Sequence, residues 1–153
     1  MNFTPFENTE LLSSLKKVEI TEIINNNIEF TPKLGLTFKK NTNKHYEGII
    51  TEDIFKIRRI LKSGKNSFIP IVYGKISEFE KGTLIRMKLR LHPIITLFLI
   101  VFTVFSGSLL FFGTLNWHNL LMFILPYFMC TVFFNYESNI IKTDLKIMLK
   151  SKK

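Results

Sequence analysis

The stretch TLIRMKLRLHPIITLFLIVF, residues 83–102, changes pattern halfway along. Ile85, Met87, Leu89 and Leu91 alternate with Arg86, Lys88 and Arg90, which is the period-2 signature of a strand with one apolar and one cationic face. Pro93 has no N–H to give to a sheet ladder, so it closes the strand just after His92. From His92 to Tyr136 there is then no Lys, Arg, Asp or Glu at all. A charged strand therefore feeds, almost without a linker, into an uncharged block, and that junction divides the chain.

The block reads as a helical hairpin that crosses a membrane. Pro93 to Leu115 would span ~35 Å as a helix, enough for a hydrocarbon core of ~30 Å. A second run from Trp117 to Tyr136 reaches ~30 Å, with an interfacial aromatic at each end. Only a tight turn, NWHN, separates the apolar stretches. A buried hairpin of a soluble protein would need a polar face, and neither run has one. Pro126 predicts a kink in the second helix. Thr103, Ser106, Gly107, Ser108 and Gly113 are small enough for close helix approach, with Thr103 and Gly107 at small-xxx-small spacing. They serve either the packing of the hairpin on itself or a dimer.

Charge fixes the expected orientation. The net charge of +9 sits entirely on the two segments flanking the block. Lys75, Lys81, Arg86, Lys88 and Arg90 precede it, and Lys142, Lys146, Lys150, Lys152 and Lys153 follow it. The positive-inside bias then places both termini in the cytoplasm and only the NWHN turn outside. The start, MNFTPFENTE, has neither a basic segment nor an apolar core of signal-peptide length, so export of residues 1–91 by that route is not expected. The block carries no ionisable group at membrane depth apart from His92 and His118 at the ends of its first span, which disfavours an ion-coupled carrier working alone.

Three units follow: a cytosolic domain over 1–91, the transmembrane hairpin over 92–136, and a basic tail over 137–153. The expected class is α+β. In the first unit, Asn8 or Thr9 would cap a short helix over about 9–18, with Leu11, Leu12 and Leu15 on one side and Lys16 and Lys17 in its last turn. Residues 19–46 are ambiguous, with Leu34, Leu36 and Phe38 suggesting a strand and Asn25–Asn27 a turn. Strands then follow in YEGII, IFKIRRIL, SFIPIVYGKISEF and the 83–91 stretch, joined by turns at Thr51-Glu52-Asp53, KSGKNS and Glu80-Lys81-Gly82. Phe55 and Ile57 oppose Lys56 and Arg58, and Pro70 restricts its strand to an edge, an end or a bulge. The expectation is an antiparallel meander with the helix on one face and the other face polar. The tail is amphipathic at helical spacing, with Ile141, Leu145, Met148 and Leu149 opposite Lys142, Lys146 and Lys150. It can lie in the membrane interface, pack on the domain, or extend the second span.

Chemistry finds little support. SGKNS at 63–67 is no Walker loop, because the first glycine would fall at Arg59 and the hydroxyl position is Asn66. Three scattered histidines and the lone Cys130 make no metal cluster and no disulfide, so neither metal nor cofactor is expected. Glu52, Asp53, Glu78 and Glu80 fall in turns, where solvated carboxylates are ordinary. The basic groups say more. Arg58, Arg59, Lys62 and Lys65 gather around one strand and turn, while Arg86, Lys88 and Arg90 line the strand leading into the membrane. Near an anionic leaflet each such cation contributes ~1 kcal/mol. The aromatics near them read as core or sheet-face residues and not as a stacking platform, so nucleic acid is not an expected partner.

Between Gly48 and Pro93 the chain resembles a family of small bacterial membrane proteins of uncharacterised activity. The matching residues are Gly48 and Ile50, Phe55, Ile57 and Arg59, Asn66-Ser67-Phe68 with Pro70, Gly74 and Ile76, and His92-Pro93. Gly64-Lys65 stands where many relatives have Tyr-Arg. The resemblance implies a cytosolic β-rich domain, two C-terminal membrane helices and a bacterial inner-membrane location, and brings no activity with it. The expected function is then non-enzymatic: an accessory subunit or scaffold whose domain binds a protein partner or the anionic leaflet through Arg58, Arg59, Lys62, Arg86, Lys88 and Arg90. Thr103, Gly107 and Gly113 would pack its helices. The alternatives are an immunity or regulatory protein acting on a toxin or channel, and an interfacial enzyme on a lipid substrate.

Overall fold

The computed structural model describes residues 4–35, 42–61, 68–80, 82–112 and 117–152. In chain order these form β1 (Phe6–Ser13), α1 (Lys17–Asn27), β2 (Ile28–Phe30), β3 (Tyr46–Thr51), β4 (Ile54–Arg59), β5 (Ile71–Phe79), β6 (Gly82–Arg90), α2 (Pro93–Phe112), α3 (Trp117–Met148) and β7 (Ser151–Lys152). The strands make one sheet in the order β2-β3-β4-β5-β6-β1-β7. The fold is α+β and the sheet is mixed, since β2 runs parallel to β3 while the other pairs are antiparallel. The run β3 to β6 is the meander expected from the alternating pattern, and Pro70 stands just before β5, where no ladder bond is needed.

The N-terminal segment departs from the sequence reading. Residues 6–13, expected to start a helix over 9–18, form β1, which pairs with β6 from Phe6↔Arg90 to Ser13↔Thr83. The helix begins instead at Lys17, where the Glu19 carboxylate accepts the Lys16 N–H at 2.8 Å. Asn25–Asn27, expected as a turn, complete its last turn before the chain passes straight into β2. The strand suggested by Leu36 and Phe38, the KSGKNS turn and Lys81 lie outside the described residues.

Alternation assigns the two faces of the sheet. Leu11, Phe55, Ile57, Val72, Ile76, Ile85, Met87 and Leu89 point to one face and are almost wholly buried. Ile20 and Ile24 of α1 cover part of it, and the C-terminal half of α3 covers the rest with Phe134, Ile141 and Leu145, followed by Leu149 just past its end. The tail is therefore both an extension of the second apolar helix and a layer of the domain core. Three polar contacts fix its path from the end of β4 to the end of β1. Arg59 Nη2 donates to Glu137 Oε2 at 2.6 Å, Lys142 Nζ to Glu7 Oε1 at 2.6 Å, and Ser13 Oγ to the Leu149 carbonyl at 2.5 Å.

Strand direction orients the molecule. β6 and β4 run toward α2, and β5 and β3 run away from it. The β3–β4 turn, the end of β5 and the start of α1 therefore lie at the far end, joined there by the Lys17–Asp53 ion pair. That pair raises the Lys17 pKa, the hydrogen bond to Asp53 being the main cause.

Candidate functional site

α2 and α3 project from the near end of the sheet as an antiparallel pair. Gly107 sits over Phe123, whose ring carbon would lie 3.5 Å from a Cβ there, and Ser106 is buried. Thr103 is half-buried, and Gly113 lies outside the described residues. Gly107 thus packs against the other helix of the hairpin. Phe68, just before β5, stacks on Phe133 of α3 with ring centroids 5.8 Å apart. Away from these contacts the helices present apolar side chains outward: Leu97, Phe98, Val101, Val104 and Phe105 on α2, and Trp117, Met122, Ile124, Phe128 and Met129 on α3. Among the described residues, one helix, from Leu120 to Met148, is long and apolar enough to cross a membrane.

The cations predicted to act at a surface divide into two groups. Arg58 is not free for one: it lies buried on the outer side of the sheet, ion-paired with Glu47, and donates through Nη1 to the Gly35 carbonyl at 2.5 Å. Arg59 shares the inner-face phase of Phe55 and Ile57 and is engaged by Glu137. Around that joint, Tyr46 Oη, Arg59 Nε and Ser138 Oγ find no hydrogen-bond partner among the described residues. Burial pushes the Tyr46 phenol well above its usual pKa, with the Asp144 charge adding to the effect. Lys62 lies outside the described residues. Glu52, Asp53 and Glu78 surround Lys17 at the end of the sheet remote from the helices.

Arg86, Lys88 and Arg90 stand on the outer face, as the alternation requires. They are not equivalent. Arg86 Nε donates to Glu10 Oε1 at 2.9 Å across the β1–β6 pair, whereas Lys88 stands between Asn8 and Tyr73, and Arg90 between Phe6 and Ile71. Lys56 reaches from β4 to place its Nζ 5.4 Å from the centre of the Tyr73 ring, within cation–π range. The sequence did not single out Tyr73 and Lys56 in this role, although both fall on the outward phase of their strands.

Where this face meets α2 there is an open cleft of about 670 Å³. Tyr73, Lys88 and Arg90 form one wall, Thr96, Leu97 and Ile100 the other, and Leu91 and Pro93 the apex. A cleft that touches both Lys88 and Ile100 requires α2 to leave at an angle that turns the outer face toward the helix. His92 holds that angle. Its Nδ1 accepts the Ile94 N–H at 3.3 Å, so Nε2 carries the proton and donates to the Leu34 carbonyl at 3.0 Å. Comparison with known protein families, with characterised proteins and with solved structures finds no match to this chain.

Proposed function

We propose that the chain is an integral protein of a bacterial inner membrane, crossing it twice through α2 and α3 with both termini cytoplasmic. The hairpin holds the sheet domain against the anionic leaflet, where the protein acts as a non-enzymatic scaffold or accessory subunit. The observation that carries this reading is the contrast between the two parts of the molecule. The sheet domain buries its apolar face under α1 and the end of α3, while the uncharged segments of α2 and α3 leave large apolar side chains outward away from their mutual contact. Exposed apolar surface of that extent marks a membrane or partner contact. Flanking charge favours the membrane and sets the orientation, because the basic residues lie on the sheet side of both helices.

An interfacial enzyme working through Glu52, Asp53 or Glu78 is disfavoured by their position, since the 9-residue strands β5 and β6 separate that end from the hairpin by ~25 Å. The test is membrane extraction combined with cysteine accessibility in a Cys130→Ala background. The full chain should resist alkaline carbonate, and reagents should reach His118→Cys only from outside and Ser14→Cys only from the cytoplasm. Release by carbonate, or labelling of both positions from one side, would refute the two-pass reading.

A further inference from the structure

We infer that the cleft between the outer sheet face and α2 is a binding site for one anionic phospholipid, its phosphate held by Lys88 and Arg90 and an acyl chain lying along Leu97 and Ile100. The inference rests on the membrane reading above and gives its docking face a discrete ligand.

Three observations converge on this chemistry. First, the two walls differ in kind. One offers an ammonium, a guanidinium and a phenol, and the other offers apolar helix surface. A free phosphate would leave the apolar wall wet, and a neutral hydrocarbon would leave the cations without a counter-charge. Only a molecule that joins an anion to a hydrocarbon satisfies both. The arginine fork suits two phosphate oxygens at once, and the lysine adds a compact charge beside it.

Second, the charge pattern leaves these cations available. Lys17, Arg58, Arg59, Arg86 and Lys142 each have a carboxylate partner, whereas among the described residues Lys88 and Arg90 have none. Lys56, packed over the Tyr73 ring, adds a third positive charge behind the same wall. The acidic residue on this part of the outer face, Glu10, is occupied by Arg86.

Third, the depths match a bilayer. Pro93 begins α2, and Ile100 stands seven residues further on, which places it ~10 Å deeper along the helix. The interfacial layer of a bilayer is ~5–8 Å thick on each side of the hydrocarbon core. With the start of α2 at that layer, Leu97 and Ile100 reach the chains while Lys88 and Arg90 stay on the sheet side of it. The cleft volume of about 670 Å³ falls within the ~300–1,000 Å³ usual for small-molecule sites.

The experiment uses the purified full chain in mild detergent, titrated with short-chain phosphatidylglycerol, phosphatidylcholine of the same chain length, or inorganic phosphate. Binding is read by native mass spectrometry. Phosphatidylglycerol should bind in one saturable copy and exceed both other probes. With ~1 kcal/mol for each cation and 1.4 kcal/mol per decade, Lys88→Gln with Arg90→Gln should weaken it about thirtyfold. Leu97→Ser should weaken phosphatidylglycerol, and Arg86→Gln, whose cation is already paired, should leave it unchanged. Equal affinity for the two lipids, equal affinity for inorganic phosphate, or an unaltered affinity in the Lys88/Arg90 double variant would overturn the site. Carbonate extraction of the same double variant separates the two claims. A variant that stays inserted but loses lipid selectivity supports the site, one that stays inserted with selectivity intact overturns the site alone, and release of the wild-type chain overturns the membrane reading itself.

Discussion

Replacing Glu137 by Gln should loosen the joint through which the second apolar helix grips the sheet. The Glu137 side chain is 4% exposed and its Oε2 lies 2.6 Å from Nη2 of Arg59, whose side chain is 24% exposed. Breaking one half of a buried ion pair costs ~3–5 kcal/mol, because the remaining charge stays desolvated. Arg59 keeps part of its hydration, so E137Q should cost less, ~2–3 kcal/mol. Arg59→Met takes the guanidinium from the more deeply buried carboxylate and should cost at least as much as E137Q. Replacing both, Arg59→Met with Glu137→Leu, removes both charges of the pair and should cost less than the sum of the two single changes. Denaturant unfolding in detergent, followed by circular dichroism, gives the three values. Hydrogen exchange over 137–148 should rise in E137Q alone among neighbouring segments. The reasoning is refuted by an E137Q variant within ~0.5 kcal/mol of the parent, or by single costs that simply add in the double variant.

Gly74 faces the Phe55 ring across the β4–β5 pair, and a Cβ placed there would stand 2.0 Å from the ring tip. Gly74→Ala should cost ~1–3 kcal/mol by overpacking, and Phe55→Leu in the same chain should recover part of it, read by the same unfolding curves. Glu52 adopts φ 45° in the two-residue β3–β4 turn, so Glu52→Gly should relieve a left-handed conformation and stabilise by ~0.5–1 kcal/mol, seen as a raised Tm. The Tyr46 phenol has its pKa raised above the ordinary 10.0 by burial. It resists ionisation in the folded state, so its contribution to stability is intact below that value and declines as pH rises above it. The tyrosinate absorbance that a Tyr46→Phe variant lacks should be the part that appears above pH 10.0, and a loss of absorbance at the ordinary value would contradict its burial. Inserting two glycines between Leu91 and His92 should leave carbonate resistance intact but abolish the preference for phosphatidylglycerol, because the angle between sheet and helix is no longer held.

The meander and the uncharged hairpin were legible in the sequence because each side chain there reports one environment. Ile85, Met87 and Leu89 lie inward while Arg86, Lys88 and Arg90 lie outward, with nothing to blur the period. β1 was not legible for the opposite reason. Its inward residues include Glu7 and Ser13, whose polar groups are met by Lys142 and by the Leu149 carbonyl from the other end of the chain. Inward polarity erased the alternation, and Leu11, Leu12 and Leu15 then read as a helix face. Tertiary pairing with β6 overrode that local preference. Arg59 offered a usable signal, since it shares the phase of Phe55 and Ile57, and Glu137 is the first charge after the apolar block. The burial of Arg58 was harder to read, because it needs the Gly35 carbonyl, in a segment without period, as well as its cross-strand partner Glu47.

The joints on either side of the hairpin decide how the outer face is presented. At the first, only Leu91 and His92 separate β6 from α2, and His92 is bound both forward to Ile94 and across to Leu34. At the second there is no joint, because α3 runs as a single 32-residue helix from Trp117 to Met148. Its last twelve residues, ~18 Å of helix, are anchored by Glu137 at one end and by the Leu149 carbonyl just beyond the other. A domain tethered by flexible linkers would orient itself on the leaflet and lose rotational freedom each time it docked. Here the angle between the outer face and α2 is set by the fold, so that cost falls on folding and not on docking. In the proposed docked state, Lys88 and Arg90 would then need no search for a headgroup. The same continuity makes α3 a lever, since any change of its tilt against the sheet must act on the Arg59 pair, on Glu7 and on the β1–β7 edge together.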